Sequence, residues 1–322
     1  MKIIKYSYFI RAIPFLIFAT ASLHTMAADV DWSGVEAKTV KVFYPGQSSW
    51  AFLGDKDHGT GAAPVKTLKK GCAECHVGET GEYDINSDAI ISGTLKKSKT
   101  GTPLEPEAIA GAKGFIDVAV QAAYDAGNFY LRLQWAGSGA SVKDAALAAD
   151  DKADRISVQI ADKISTFRNY GCFVTCHDDQ EGMPANRGAE THLYGYYTRD
   201  KGAVKDQATL DGYRSKGQFM DLWIASFAGT EVKTEDESIL DNRTEDNNDL
   251  TATGSYENGT YTVVITRKLA TGDANDLALT DGTAFSIGIA VHDNGNGGRK
   301  HYTSFPVSIG LSTAADIAAK KF

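Results

Sequence analysis

From Phe115 onward the sequence alternates apolar and polar residues with a period of two, which predicts a mainly β protein, an antiparallel immunoglobulin-like β-sandwich. Two further observations agree. The alternating runs are separated by Gly, Asn and Asp turns. The chain also carries 32 Gly, 14 Tyr and 14 Phe against only 7 Pro, a β-leaning composition without a low-complexity tract or short repeat.

The runs can be taken in order. "KTVKVFYP" is an early candidate strand. "GFIDVAVQAAY" and "FYLRLQW" flank the turn "DAGN" and form a hairpin, with Phe129, Leu131, Leu133 and Trp135 on one face. "DRISVQI" alternates Ile156, Val158 and Ile160 against Ser157 and Gln159. "QFMDLWIASF", "NGTYTVVITRKL", "TAFSIGIAVHD" and "RKHYTSFPVSIGL" continue the pattern, giving seven or eight strands. Helix is expected only in "VKDAALAA", "PEAIAGA" and the tail "TAADIAAKK". Two polar stretches interrupt the strands. Residues 163–216 read as a functional insertion, and "TEDESILDNRTEDNNDL", with seven acids and one Arg, reads as a solvated loop.

The N-terminus pairs basic residues (Lys2, Lys5, Arg11) with the apolar run "IPFLIFATASL" and small residues before Ala27, the pattern of an export signal spanning 1–27. No later stretch approaches about 20 continuous apolar residues, so no membrane span is expected in the mature chain. The mature protein is expected in a periplasmic space. Removing the leader takes away three basic residues and no acid, moving the formal charge from -8 to -11. Such an acidic chain argues against nucleic acid as a partner. The expected division is an N-terminal segment over 28–105 and a β-sandwich over 106–322 with the insertion inside it.

All four cysteines lie in two motifs, "CAECH" (Cys72, Cys75, His76) and "CFVTCH" (Cys172, Cys176, His177). Local disulfides would leave both histidines unexplained. A Cys₄ zinc site expects about 15–20 residues between the pairs, far fewer than this chain has. A thioredoxin-like dithiol expects a βαβ neighbourhood that is missing. Cys-x-x-Cys-His suits covalent haem: one helical turn sets both thiols on one side for thioether bonds to the porphyrin, and the imidazole ligates the iron. Residues four apart also share a helix face, so Cys172 and Cys176 can attach a second haem with a local bulge. Two covalently attached haem c groups are therefore expected, one in the N-terminal segment and one in the insertion.

Each iron then calls for a second axial ligand, usually His or Met. His58 precedes the first motif closely enough to fold over its haem, and Met183 follows His177. His292 and His301 flank "DNGNGGRK" at the base of a hairpin, beside the small strip Ser286, Gly288 and Ala290, which either admits a flat macrocycle or serves close sheet packing. Met220 is expected in the core, and His192 has no assignment.

The order "HGTGAAPVKTLKKGCAECHVGE", "YGCFVTCHDDQEGMP", "MDLW", "VVITRKLATGDANDLAL" and "FSIGIAVHDNGNGGRKHYTSFP" resembles the haem-binding proteins related to the γ subunit of ethylbenzene dehydrogenase, over about residues 50–311. The resemblance implies a β-sandwich that holds haem at one edge and passes electrons in the periplasm, to a molybdenum enzyme or from a membrane quinol-oxidising multihaem cytochrome. In that γ subunit haem is held non-covalently by Met and Lys. The covalent motifs of this chain depart from that pattern and place it with a dihaem c-type branch. By position in the last hairpin, His301 corresponds to the γ subunit's C-terminal axial ligand and is the first choice for a distal role. The expected function is that of an electron-transfer protein. The rivals are a dihaem peroxidase or small-oxyanion reductase with one open iron, and a haem-free binding module.

Overall fold

A computed structural model describes residues 30–46, 71–79, 82–96, 100–150, 152–177, 193–200, 203–295 and 300–322; for 149, 150, 166, 170, 173–177, 193–196 and 199 it describes the backbone alone. The chain divides into Met1–Val30, of which only Val30 is described, and Asp31–Phe322, which holds everything below. The leader of residues 1–27, His58, Met183 and His192 lie outside the described residues.

The predicted alternating runs become strands, within a set of seventeen among the described residues: β1 (Lys38–Phe43), β2 (Phe115–Tyr124), β3 (Asn128–Ala136), β4 (Arg155–Ala161), β5 (Thr175–His177), β6 (Leu193–Gly195), β7 (Arg199–Asp200), β8 (Ala203–Val204), β9 (Met220–Ala228), β10 (Glu231–Ile239), β11 (Arg243–Glu245), β12 (Thr251–Glu257), β13 (Thr260–Lys268), β14 (Ala284–His292), β15 (Tyr302–Ser304), β16 (Val307–Leu311) and β17 (Ile317–Lys321). Thirteen of them form one sheet, in the order β11-β10-β9-β4-β14-β15-β1-β2-β3-β13-β12, with β16 and β17 bridging β14 to β2. Pairing is antiparallel except where β17 runs parallel to β16 and β2. Two small sheets, β5-β6 and β7-β8, occupy the insertion.

The turn "DAGN" closes the β2-β3 hairpin because Asp125 Oδ1 accepts hydrogen bonds from the backbone of Gly127 and Asn128, each at 2.7 Å. Its period of two then sends Phe129, Leu131, Leu133 and Trp135 inward, all at most 1% exposed. Across the core Phe129 meets Trp223 of β9 and Phe285 of β14, with ring centroids 6.1 and 5.7 Å apart. Phe227 of β9 packs on Tyr261 of β13 at 4.8 Å. The two halves of the long sheet thus face each other, and the predicted β-sandwich is the architecture observed. Met220 is fully buried, as expected.

Four local readings differ. The acidic run is not a solvated loop. It supplies β10 and β11, with Asp236 and Glu237 buried, because Arg243 pairs with Glu237 and the strand is hydrogen-bonded to β9 along its length. "PEAIAGA" forms no helix: Glu105 turns its carboxylate onto the Glu107 amide, and Gly111 adopts a φ of 74°. The C-terminal tail is strand β17, because its backbone finds partners on both β16 and β2 and Ile317 is buried between them. "RKHYTSFPVSIGL" is divided into β15 and β16 at Phe305-Pro306, where proline brings no N–H to the ladder.

Candidate haem site around the β14–β15 hairpin

The first motif forms a single helical turn, α1 (Cys72–Cys75), entered from extended Gly71. The His76 amide closes it on the Cys72 carbonyl at 3.0 Å. The chain then turns back, with the Gly78 amide on Glu82 and the Asp84 amide on His76, both at 2.7 Å. This return places the Asp84 carbonyl 3.0 Å from His76 Nδ1. The carbonyl can only accept, so the ring donates through Nδ1, which fixes its tautomer. Tyr83, on the same return, packs on Phe305 and Phe43 at 4.5 and 5.7 Å, tying the motif to β1 and to the β15-β16 junction.

Among the described residues, Cys72, Cys75 and Cys172 form no disulfide. Burial pushes the Cys72 thiol up to about 11, so it stays protonated at neutral pH. A dithiol oxidoreductase needs the reverse, a thiol whose pKa is depressed. The donor set, two thiols one helical turn apart and an imidazole oriented from behind, fits a covalently held haem.

The second motif does not repeat that turn. Helix α2 (Ser165–Tyr170) ends at Gly171, whose φ is 55°; a 3₁₀ turn covers Gly171–Val174, and Cys176 and His177 lie on β5. The helix face expected to join Cys172 and Cys176 is thus replaced by a turn followed by a strand. Adjacent β-branched Val174 and Thr175 favour the extended backbone found there. β5 pairs with β6, setting Cys176 opposite Tyr194 and His177 opposite Leu193.

Cys172 is buried against the sheet. A Cβ added at Gly288 would sit 2.6 Å from its Sγ, so the absent side chain at Gly288 is what lets the motif approach β14. The close packing foreseen for this strip is therefore made by the motif itself. The thiol also shares a hydrogen bond with the Thr303 side chain, and burial pushes it up to about 11. Replacing Gly288 with Val is expected to cost about 1–3 kcal/mol through overpacking and to reduce haem bound at the second motif. Denaturant unfolding and haem absorbance per chain check this.

His292 ends β14 and His301 precedes β15. Their rings stack at 4.4 Å between centroids with 15° between planes, and both are buried. Gly46, just beyond β1, lies on the His301 ring so closely that a Cβ there would overlap it. The two motifs also meet: a Cβ at Gly71 would come within 2.7 Å of the Asn169 carbonyl in α2. The β14–β15 hairpin thus gathers Cys172, His292 and His301, and the Gly71–Asn169 approach sets the first motif against the helix that leads into Cys172. Asp84, Thr303 and Gly46 were not singled out from sequence. Asp84 acts through its main-chain carbonyl and Gly46 by lacking a side chain, so neither leaves a residue-type signal.

These features define a class of protein, an antiparallel β-sandwich carrying two cysteine–histidine motifs whose leading segments touch. The family model described as "Ethylbenzene dehydrogenase" matches residues 29–237 and 228–304, and the chain belongs to that family. It is 33% identical over 304 residues to "Cytochrome c-552" of Stutzerimonas stutzeri, covering 92% of each chain. It is also 26% identical over 290 residues to "Cytochrome c-551" of Rhodocyclus tenuis, covering 88% of this chain and 95% of that one. A solved structure titled as a putative carbohydrate-binding protein from Bacteroides uniformis aligns over 62% of this chain and 71% of its own, at 6% identity and a TM-score of 0.32.

Proposed function

We propose that this protein is a periplasmic dihaem cytochrome c that transfers electrons between a quinol-oxidising membrane multihaem cytochrome and a redox enzyme, with a molybdenum enzyme as one such partner. The observation that carries the reading is the close approach of the two motif-bearing segments, Gly71 against Asn169, together with Cys172 packed on Gly288 of β14, the strand that ends in the stacked His292–His301 pair. Two redox centres held there would be neighbours within one rigid sandwich. Relatives named cytochromes c support haem c as the cofactor.

Haem supplies one-electron chemistry at its iron. The chain does the rest. Cys72 and Cys75 hold the first haem, and His76, fixed by the Asp84 carbonyl, presents Nε2. Cys172, Cys176 and His177 hold the second. His301, backed by the His292 ring, is the first choice for a distal ligand. His292 and Met183 are its alternatives, and His58 serves the first iron.

Low-temperature EPR of the oxidised protein tests the reading. An electron carrier gives two low-spin ferric signals and no peroxide turnover. A high-spin signal accompanied by peroxide or oxyanion reduction overturns it in favour of an enzyme with an open iron.

A further inference from the structure

Away from both motifs, four carboxylates from separate segments meet one arginine. Asp221 lies on β9, Asp236 on β10, Asp246 just past β11, and Asp276 in the connection from β13 to β14. Arg267 Nη1 stands 3.2 Å from Asp221 Oδ2, and Nη2 stands 3.2 Å from Asp276 Oδ2. Its guanidinium lies over the Trp223 ring and donates to the Leu277 carbonyl at 2.9 Å, while the Leu277 amide donates to Asp221 Oδ2 at 3.1 Å.

Arg267 cannot satisfy this many acids. Asp221 and Asp236 are 0% and 3% exposed, and the Asp276 side chain is 1% exposed. Asp221 Oδ1 and both oxygens of Asp236, Asp246 and Asp276 are buried without any hydrogen bond. Asp276 faces Arg267 only as an ion pair, without hydrogen-bond geometry. Buried carboxylate oxygens left in this state are costly unless a charge meets them. Fully ionised, four acids against one base would leave a surplus of three negative charges.

The spacing suits a particular filler. One oxygen from each of Asp221, Asp236 and Asp276 lies within 4.8 Å of the others. Oxygens ligating one calcium ion at about 2.3–2.6 Å lie no more than about 5 Å apart. An all-carboxylate donor set is hard and contains neither nitrogen nor sulfur, which selects against zinc and copper. Magnesium is disfavoured as well, because it keeps several waters and is seldom held by an all-protein cage.

We propose that Asp221, Asp236, Asp246 and Asp276 form a structural binding site for a divalent cation of the calcium class, beside Arg267. The ion reduces the surplus charge and ties β9, β10 and the β13-β14 connection together. A cavity of 520 Å³ lined by Asp273, Asp276, Arg214 and Phe219 gives it a way in. Burial pushes Asp221 up to about 7, Asp236 to about 8 and Asp246 to about 6, all three also through repulsion by their neighbours, and a cation would replace the protons these groups otherwise hold.

The test uses the mature holoprotein freed of metal with a chelator. Titration with calcium chloride by calorimetry is expected to show one ion per chain, and the unfolding temperature to rise in calcium more than in equal magnesium. Asp236→Asn and Asp276→Asn should each weaken calcium binding by roughly 10- to 100-fold while leaving the haem spectrum unchanged. Equal unfolding temperatures in chelator and in saturating calcium overturn the proposal, as does a foldable Asp236→Asn that binds calcium like the parent. If the variants do not fold, the parent protein's own titration decides.

Discussion

Replacing Arg267 with Met is expected to destabilise the protein by about 3–5 kcal/mol, the cost of removing one partner from a buried ion pair. Arg267 is fully buried between Asp221 and Asp276 and rests on Trp223, so the change keeps much of the packing and deletes the charge. Arg267→Lys should recover only part of the loss, because an ammonium cannot reach both carboxylates and the Leu277 carbonyl with one planar fork. Urea unfolding followed by circular dichroism checks both variants. The pH dependence has a definite sign. Asp221, Asp236 and Asp246 have folded-state pKa values raised above the ordinary 3.8, so the native protein holds protons that the unfolded chain has released. In chelator, stability should fall as pH rises from about 4 to about 8. Arg267 and the neighbouring Asp276 act on the three groups together, and losing Arg267 should steepen the fall.

The second large effect is spectroscopic. His76→Ala should leave haem attached through Cys72 and Cys75 but remove its proximal ligand, abolishing one of two low-spin signals. Asp84→Ala should preserve that signal, because its main-chain carbonyl, present in any residue, accepts from His76 Nδ1. Absorbance and EPR of the two variants check the pair. An unchanged His76→Ala spectrum would count against the assignment.

The sandwich was legible because its strands bury one face, and burial writes itself as alternation in runs such as "FYLRLQW". β10 was not, because Asp236 and Glu237 occupy buried positions on it, and the pairing of Glu237 with Arg243 is invisible until the chain folds. The tail misled for a related reason: its Ala-rich text favours helix, and only the open backbone positions on β16 and β2 draw it into a strand. The approach of His292 to His301 followed from their flanking one hairpin loop. The contact between Gly71 and α2 did not, since it joins segments almost a hundred residues apart. Two motifs that differ by one residue in spacing also concealed different backbones, a helical turn at Cys72–Cys75 and a turn running into a strand at Cys172–His177.

The most direct test of the dihaem reading is the intact mass of the denatured, acid-extracted mature protein, made in a host competent for cytochrome c maturation. The account predicts the mass of the processed chain plus two haems. A mass carrying one haem or none contradicts it.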